Sequence, residues 1–138
     1  MGTGSHKGER LGACTDCRRM WGKFRAGEID EAEIEDISSK LVPTAGTCGV
    51  MGTASTMALM TEAMGMMLPG GAAIPAWASD RLRHAEETGT RAVALAKEKV
   101  TPDQIITQAA LNNAMKTLLA IGGSTNGIVH MAAVAGRL

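Results

Sequence analysis

Signals for the start and the end of helices are the feature of this sequence that most constrains its fold. The stretch "TPDQ" at residues 101–104 combines a capping Thr, a Pro at the first helical position and a Gln at the third. Asp30 and Glu33 have the spacing of a capping box, and Pro43 follows the helix that they begin. Gly122 ends the helix that "TPDQ" begins. These signals predict a chain that is divided into short helices.

Apolar residues recur at helical spacing behind these signals. Five helices are predicted: one capped by Asp30 and stopped by Pro43, one at about residues 52–66, one capped by Ser79, one between Thr101 and Gly122, and one capped by Ser124 or Thr125 that ends near Ala135. Residues 1–27 show no clean period, which indicates a loop with at most one short strand or helix. The fragment is therefore expected to be mostly α-helical. Met57, Met60, Met64 and Leu68 form an apolar stripe on the helix at about residues 52–66, and this stripe is predicted to lie in the core.

For the third predicted helix, which Ser79 caps, the sequence predicts which side is buried and which side is exposed. Leu82 and Val93 belong to its predicted apolar face, and Glu87 and Arg91 have the spacing of an ion pair on the wet side. His84 stands among charged residues, which predicts an exposed histidine. On the last helix His130 stands among apolar residues instead and is predicted to lie in the core.

Charge and hydropathy exclude several classes of protein. The chain has 14 basic and 14 acidic residues and no basic tract, so nothing favours a nucleic-acid partner. Its most apolar stretch, residues 57–76, contains Glu62, Pro69 and Pro75, which argues against a membrane-spanning helix. The first ten residues lack the apolar stretch of a secretory signal. Three cysteines in such a chain favour a reducing, cytoplasmic location with free or functional thiols.

Cys48 lies between Gly46 and Gly49 in a loop that runs directly into a predicted helix. The glycines let the backbone approach a bound group closely, and a following helix start lowers the pKa of a thiol. Three interpretations remain open on these residues: a structural thiol, a metal ligand or a nucleophile. A nucleophile requires a base, which spacing alone does not identify.

Cys14 and Cys17 form a C-x-x-C pair, which can be half of a zinc site or a redox couple. The second half of a zinc site is missing, because the only other cysteine is Cys48 and the three histidines are widely spaced. Two free thiols near a surface loop are the better interpretation.

Two segments place Gly and small hydroxyl residues where a helix begins: "MGTAST" at residues 51–56 and "GGSTNG" at residues 122–127. Free N–H groups and the positive end of the helix dipole can hold an anion at such a place. Most such starts are only caps, so both interpretations remain open.

Three stretches of the sequence resemble the family of dihydroxy-acid and sugar-acid dehydratases, which includes 6-phosphogluconate dehydratase. They are "GACTDCRRMWGKFRAGEID", "GTCGVMGTASTMALMTEAMGMMLPG" and "AIGGSTNGIVHMAAVAG", and the first is most similar to the branch that acts on aldonic acids such as arabinonate and xylonate. The resemblance implies that residues 1–138 are an internal piece of an amino-terminal α/β iron–sulfur domain. It also implies a barrel-like carboxy-terminal domain that this chain lacks.

The resemblance assigns roles to a few residues. Cys48 falls on the third of three cysteines that hold a [2Fe–2S] cluster, in the pattern G-x-C-x-x-M-x-T-A-x-T-M. Ser124, Thr125 and Asn126 resemble a segment near the active site and are expected to contact substrate. The other two cysteines, the Mg²⁺ ligands and a catalytic serine lie outside this chain, and Cys14 and Cys17 do not match them.

The implied activity is a hydro-lyase reaction that converts a 2,3-dihydroxy sugar acid to a 2-keto-3-deoxy acid, in a homo-oligomer when the protein is complete. One cluster ligand cannot hold a [2Fe–2S] cluster, so the isolated fragment is expected to be inactive. Two alternatives are a small helical module that binds an anion or a partner through its two Gly-Ser-Thr helix starts, and a thiol-redox protein that uses Cys14 and Cys17.

Overall fold

The computed structural model describes residues 1–138, which form two compact units, residues 1–50 and 51–138. The prediction of a mostly helical chain is confirmed, since seven α-helices and a single two-stranded hairpin are present. The strands are β1 (Gly4–His6) and β2 (Glu9–Leu11), and the helices are α1 (Thr15–Arg25), α2 (Glu31–Lys40), α3 (Thr53–Ala63), α4 (Ser79–Glu98), α5 (Pro102–Ile105), α6 (Gln108–Ile121) and α7 (Asn126–Ala135).

The first unit begins with a hairpin and a helix in the region that was predicted to be mainly loop. β1 and β2 pair antiparallel, and both turn residues, Lys7 and Gly8, have positive φ angles of 49° and 81°. Lysine is uncommon at such an angle, so the turn carries none of the Asn-Gly or Asp-Gly signals that usually reveal a hairpin. The prediction for residues 1–27 therefore missed the hairpin and α1.

α2 confirms the predicted capping box. The Asp30 carboxylate accepts a hydrogen bond from the backbone N–H of Glu33 at 2.8 Å, which satisfies one of the free donors of the first turn. The apolar face of α2 packs against α1 and β2 in one core cluster, whose buried members are Leu11, Met20, Ile34, Ile37 and Leu41. A local cap and a helical apolar period were sufficient to predict this helix.

His6 joins the hairpin to α2. Its Nδ1 lies 3.0 Å from Asp36 Oδ2, its Nε2 lies 3.2 Å from Glu33 Oε1, and the ring is buried. The pKa of Glu33 is lowered by the ammonium of Lys7, which donates to it at 2.7 Å, and by His6. His6 therefore has a structural partner on each ring nitrogen.

α3 supplies the centre of the second unit. Met60 is fully buried, Met64 is nearly so, and both pack with residues of α6 and α7 in a second cluster completed by Ala114, Leu118 and Met131. Met57 is partly buried against this cluster, so the three methionines of the predicted stripe are confirmed as core, whereas Leu68 lies outside the cluster. α3 ends at Ala63 and is therefore shorter than predicted. Gly65 has φ 88°, a left-handed conformation that takes the chain out of the helix.

The helix predicted between Thr101 and Gly122 is two helices. α5 is a single turn that ends at Ile105, and Ile106 has ψ 70°, which is not helical. Thr107 then caps α6, since its hydroxyl accepts from the backbone N–H of Ala110 at 3.3 Å. This second cap was overlooked because the stronger "TPDQ" signal precedes it. The predicted end is confirmed, as Gly122 adopts φ 62°.

The predicted orientation of α4 is wrong. Leu82 is 76% exposed and Val93 57%, whereas His84 is only 9% exposed. Arg91 pairs with Glu98 at 2.9 Å instead of with Glu87. Spacing identifies which residues share a helix face, but only the partners that the chain supplies decide whether that face is covered. Here the loop around Gly71 packs on His84.

Two smaller expectations also changed. The N-cap of α4 is Ala78, and Ser79 is the first helical residue. His130, expected in the core, lies on the exposed side of α7, while Met131 beside it is 3% exposed.

No helix of the chain combines the length and the hydropathy that crossing a membrane requires.

Candidate functional site

The first unit brings two cysteine side chains together. Cys14 occupies the N-cap position of α1, Cys48 lies in the loop after α2, and their Sγ atoms are 3.7 Å apart. Gly46 has φ 129°, a conformation that L side chains rarely adopt, and the space beside Gly49 is open. Cys48 is therefore held beside the Cys14 thiol in a loop that leaves room for a further group at Gly49.

The backbone around Cys48 favours its thiolate. The pKa of Cys48 is lowered, first by the N–H of Val50, then by the Cys14 thiol, with a smaller contribution from the N–H of Gly49. The pKa of Cys14 is raised, chiefly because its thiol is the hydrogen-bond partner of Cys48. The predicted lowering is confirmed, but its leading cause is loop amides that precede α3.

Cys48 fits the requirements for one thiolate ligand of a metal centre. It is partly exposed, its charged form is stabilised by backbone donors, and the space beside Gly49 is open. No group of three or more His, Cys, Asp or Glu side chains in this chain is placed to hold a metal ion. The residues of this chain therefore do not bring three such ligands together around Cys48.

The nucleophile interpretation of Cys48 gains no support from the first unit. Its one histidine, His6, is paired with Asp36 and Glu33 and does not hydrogen-bond to Cys48. A nucleophilic cysteine is usually activated by such a neighbouring base.

Cys17 lies on α1, where it is partly buried and packs against the apolar cluster of the first unit. The prediction that the cysteines are free thiols is confirmed. Because Cys14 contacts Cys48 and Cys17 packs against the core, the C-x-x-C spacing does not identify the two thiols that lie in contact.

In the second unit the two Gly-Ser-Thr helix starts meet. The Ser124 backbone N–H donates to Thr56 Oγ1 at 2.9 Å, and Asn126 Nδ2 donates to Thr53 Oγ1 at 2.9 Å. A Cβ added to Gly123 would lie 2.8 Å from Thr56 Cγ2, so this approach requires glycine. The likeness between residues 51–56 and 122–127 was the signal for this site, although the sequence did not show that they touch.

This meeting point carries exposed polar groups. Ser124 Oγ accepts from the Asn126 backbone N–H at 3.2 Å, and Thr125 and Asn126 are exposed. Neither α3 nor α7 has a side-chain cap at its N-cap position. Hydroxyl, amide and backbone donors at two adjacent helix starts form a surface that can bind hydroxyl groups or an anion. Thr53 and Thr56 belong to the segment that the sequence singled out, but neither was predicted individually as a site residue.

A separate pocket of about 330 Å³ opens beside α4 in the second unit. Its lining is mainly apolar, with Leu68, Leu95 and Ile105 among the contributors, and Thr88 and Arg91 supply the polar groups. The Arg91 guanidinium is already paired with Glu98. Such a pocket lacks the convergent hydrogen-bonding groups that a polyhydroxy ligand requires.

Comparison with known proteins places the whole chain in one group. A family model described as "Dihydroxy-acid/6-phosphogluconate dehydratase N-terminal" matches residues 1–138. A dihydroxy-acid dehydratase of Thermodesulfovibrio yellowstonii is 43% identical over 135 residues, which is 98% of this chain and 24% of that protein. A D-xylonate dehydratase of Caulobacter vibrioides is 45% identical over 132 residues, which is 96% of this chain and 22% of that protein. The chain thus spans about a quarter of the length of these relatives.

Proposed function

Since this chain belongs to the dihydroxy-acid/6-phosphogluconate dehydratase family, we propose that the complete protein dehydrates a 2,3-dihydroxy sugar acid to a 2-keto-3-deoxy acid. The names of the relatives support a dehydratase, and the D-xylonate dehydratase of Caulobacter vibrioides supports an aldonate as substrate. The stretch "ACTDCRRMWGKFRAGEI", which resembles the aldonate branch, points the same way.

The observation that carries this proposal is the environment of Cys48. Its thiolate is favoured by two backbone N–H groups, and open space surrounds Gly49. We therefore assign Cys48 as one ligand of a [2Fe–2S] cluster, with its other ligands and those of a Mg²⁺ ion outside this chain. When bound, these groups supply Lewis acids, one for the departing hydroxide and one for the substrate carboxylate.

The residues of this chain have two tasks in that reaction. Cys48 would hold the cluster through its sulfur, and the lowered pKa that results chiefly from the Val50 N–H, with a smaller contribution from the Gly49 N–H, favours the thiolate that ligation requires. Ser124, Thr125 and Asn126 bind and orient the substrate through hydroxyl and amide groups, and Thr53 fixes the Asn126 side chain. Orientation of this kind lowers the barrier by removing rotational freedom before the reaction.

The cluster assignment is tested on the complete protein, purified without oxygen. We expect the wild type to contain iron and acid-labile sulfide in equal amounts, and Cys48→Ser to lose both together with dehydratase activity. Cys17→Ser is the matched control, because Cys17 packs against the apolar cluster, and it should retain the cluster. Full iron content and activity in Cys48→Ser would overturn the assignment.

The substrate contacts are tested with a charge change. Asn126→Asp places a negative charge beside the proposed substrate contacts, where it repels the negatively charged sugar acid, and we expect KM to rise at least about tenfold, or ~1.4 kcal/mol, with unchanged iron content. Asn112→Asp is the control, since Asn112 is exposed on α6 and bonds to Gln108. The same assay compares D-xylonate with a branched 2,3-dihydroxy acid, and a preference for the latter would contradict the sugar-acid proposal.

We also propose a cytoplasmic location for the complete protein. The three cysteines of this chain are free, and two of them lie 3.7 Å apart without a bond. Such a pair persists where thiols are kept reduced. Fractionation of the producing cells, with activity measured in each fraction, tests this location.

A further inference from the structure

We propose that Cys14 and Cys48 form a reversible disulfide in the cluster-free protein, with a low-molecular-weight disulfide such as oxidised glutathione as the oxidant. The bond itself follows from the geometry of this chain. Its consequence for the cluster rests on the proposed function, which makes Cys48 an iron ligand.

The two sulfur atoms are placed for this bond. Their separation is 3.7 Å, and a disulfide requires about 2.05 Å, so the sulfurs must approach each other by roughly 1.6 Å. The Cys14 side chain makes no capping hydrogen bond to α1, so no bond to the helix start opposes its movement toward Cys48. On the other side, the glycines that flank Cys48 let its loop adjust, and no atom lies within 4 Å of a Cβ built on Gly49.

Access distinguishes this pair from the third thiol. Cys14 is exposed and Cys48 is partly exposed, so a small oxidant can reach both sulfurs. Cys17 packs against the apolar cluster formed by α1, α2 and β2. A bond between Cys14 and Cys17 would draw that side chain out of its packing, whereas a bond between Cys14 and Cys48 disturbs only a helix start and a loop.

The reaction balances as two successive thiol–disulfide exchanges. The thiolate of Cys48 attacks one sulfur of oxidised glutathione, which forms a mixed disulfide and releases one glutathione thiolate. The thiolate of Cys14 then attacks the Cys48 sulfur and releases the second glutathione thiolate. The two protein thiols lose two electrons and two protons, and one oxidised glutathione becomes two reduced molecules.

The bond would act as a block on cluster assembly. A sulfur atom in a disulfide has no thiolate charge and cannot ligate iron, so Cys48 must be reduced before a cluster is inserted. Disulfides in a reducing compartment are usually transient and responsive to oxidants. Cys14 would then have a protective role, because an intramolecular disulfide keeps Cys48 from irreversible oxidation.

The experiment maps disulfides in the complete protein after anaerobic removal of the cluster with a chelator. The protein is incubated with oxidised glutathione, free thiols are alkylated, and trypsin with Asp-N is applied without reduction. These proteases place Cys14 in residues 11–15, Cys17 in residues 16–18 and Cys48 in residues 41–79, so mass spectrometry separates the three thiols. We expect residues 11–15 to be joined to residues 41–79, with Cys17 alkylated, and dithiothreitol to release both peptides.

Two variants sharpen the result. Cys17→Ser should form the same linked peptides as the wild type, and Cys14→Ser should carry glutathione on residues 41–79 instead. Far-ultraviolet circular dichroism checks that each variant is folded. The proposal is overturned if Cys14 is alkylated in the oxidised wild type, or if Cys48 is joined to residues 16–18 or to a cysteine outside this chain. Iron content is measured before the cluster is removed, so a failure of the proposed function is recorded separately.

Discussion

Gly127 is the position where one added methyl group tests the packing of the second unit. It lies in the first turn of α7, and a Cβ added there would be 2.7 Å from Leu118 Cδ1, 3.0 Å from Met60 Sδ and 3.1 Å from Thr56 Cγ2. Non-bonded carbon atoms prefer a separation of about 3.5–4.0 Å. All three neighbours are at least 96% buried, so they have little room to move aside.

The expected cost of Gly127→Ala follows from two opposing terms. Overpacking a dense core typically costs about 1–3 kcal/mol. Replacing glycine by alanine within a helix returns roughly 0.5–1 kcal/mol, because alanine loses less backbone entropy. We therefore expect a net loss of about 1–2 kcal/mol, which makes the open state of this region roughly 5–30 times more populated.

Hydrogen–deuterium exchange of the complete protein, followed by mass spectrometry, measures this local opening. In Gly127→Ala the protected amides of α6 and α7 should exchange roughly 5–30 times faster than in the wild type. Gly89→Ala is the matched control, because Gly89 lies within α4 and no atom is within 4 Å of an added Cβ. That variant should slow exchange in α4 and leave α6 unchanged. Unchanged or slower exchange of α6 and α7 in Gly127→Ala would refute the packing argument.

Three further predictions concern single contacts. Thr56→Val removes the acceptor of the Ser124 N–H at a cost of about 1–3 kcal/mol, so the first turn of α7 should exchange faster, whereas Thr56→Ser keeps the bond and should resemble the wild type. In the cluster-free protein the pKa of Cys48 is lowered and the pKa of Cys14 is raised relative to the ordinary thiol value of 9.0. As the pH falls below 9.0, Cys48 should therefore keep reacting with iodoacetamide after Cys14 has stopped. Identical pH profiles for the two thiols would contradict this. The pKa of Glu62 is lowered by two backbone N–H donors, so the stability that this carboxylate gives the folded protein is complete above the ordinary value of 4.5 and is lost as the pH falls through the pKa of the folded state. Proteolysis of residues 68–74 should therefore increase in acid in the wild type. In Glu62→Gln it should not depend on pH.

Features governed by residues close in sequence were predicted well. The Asp30–Glu33 cap, the glycine end of α6 and the buried methionines of α3 depend on hydrogen bonds and spacings within a few residues, and all of them are present. The hairpin in the first unit was missed because its turn places a lysine at positive φ, which breaks the usual turn preference. α6 was extended too far back because Thr107 is a weaker start signal than "TPDQ".

Long-range placement was beyond local reasoning. Periodicity grouped Leu82 with other apolar residues and left His84 on the opposite side, yet the loop around Gly71 covers His84 and nothing in this chain covers Leu82. His130 was misplaced for the same reason, since α7 turns Met131 toward the core. The spacing of apolar residues predicts which side chains share a face of a helix, but it does not predict which other parts of the chain cover that face.

The sequence by itself determined the helix boundaries at strong caps, the apolar core stripes and the family. It also singled out Cys48 as the candidate metal ligand. Those features rest on local hydrogen bonds, on helical spacing and on motifs read in order. Only the tertiary structure decided that Cys14 lies 3.7 Å from Cys48 and that residues 51–56 and 122–127 meet through Thr56 and Ser124. These contacts join residues 34 and 68 positions apart, and such distances are closed by packing of the core, which no short stretch of sequence encodes.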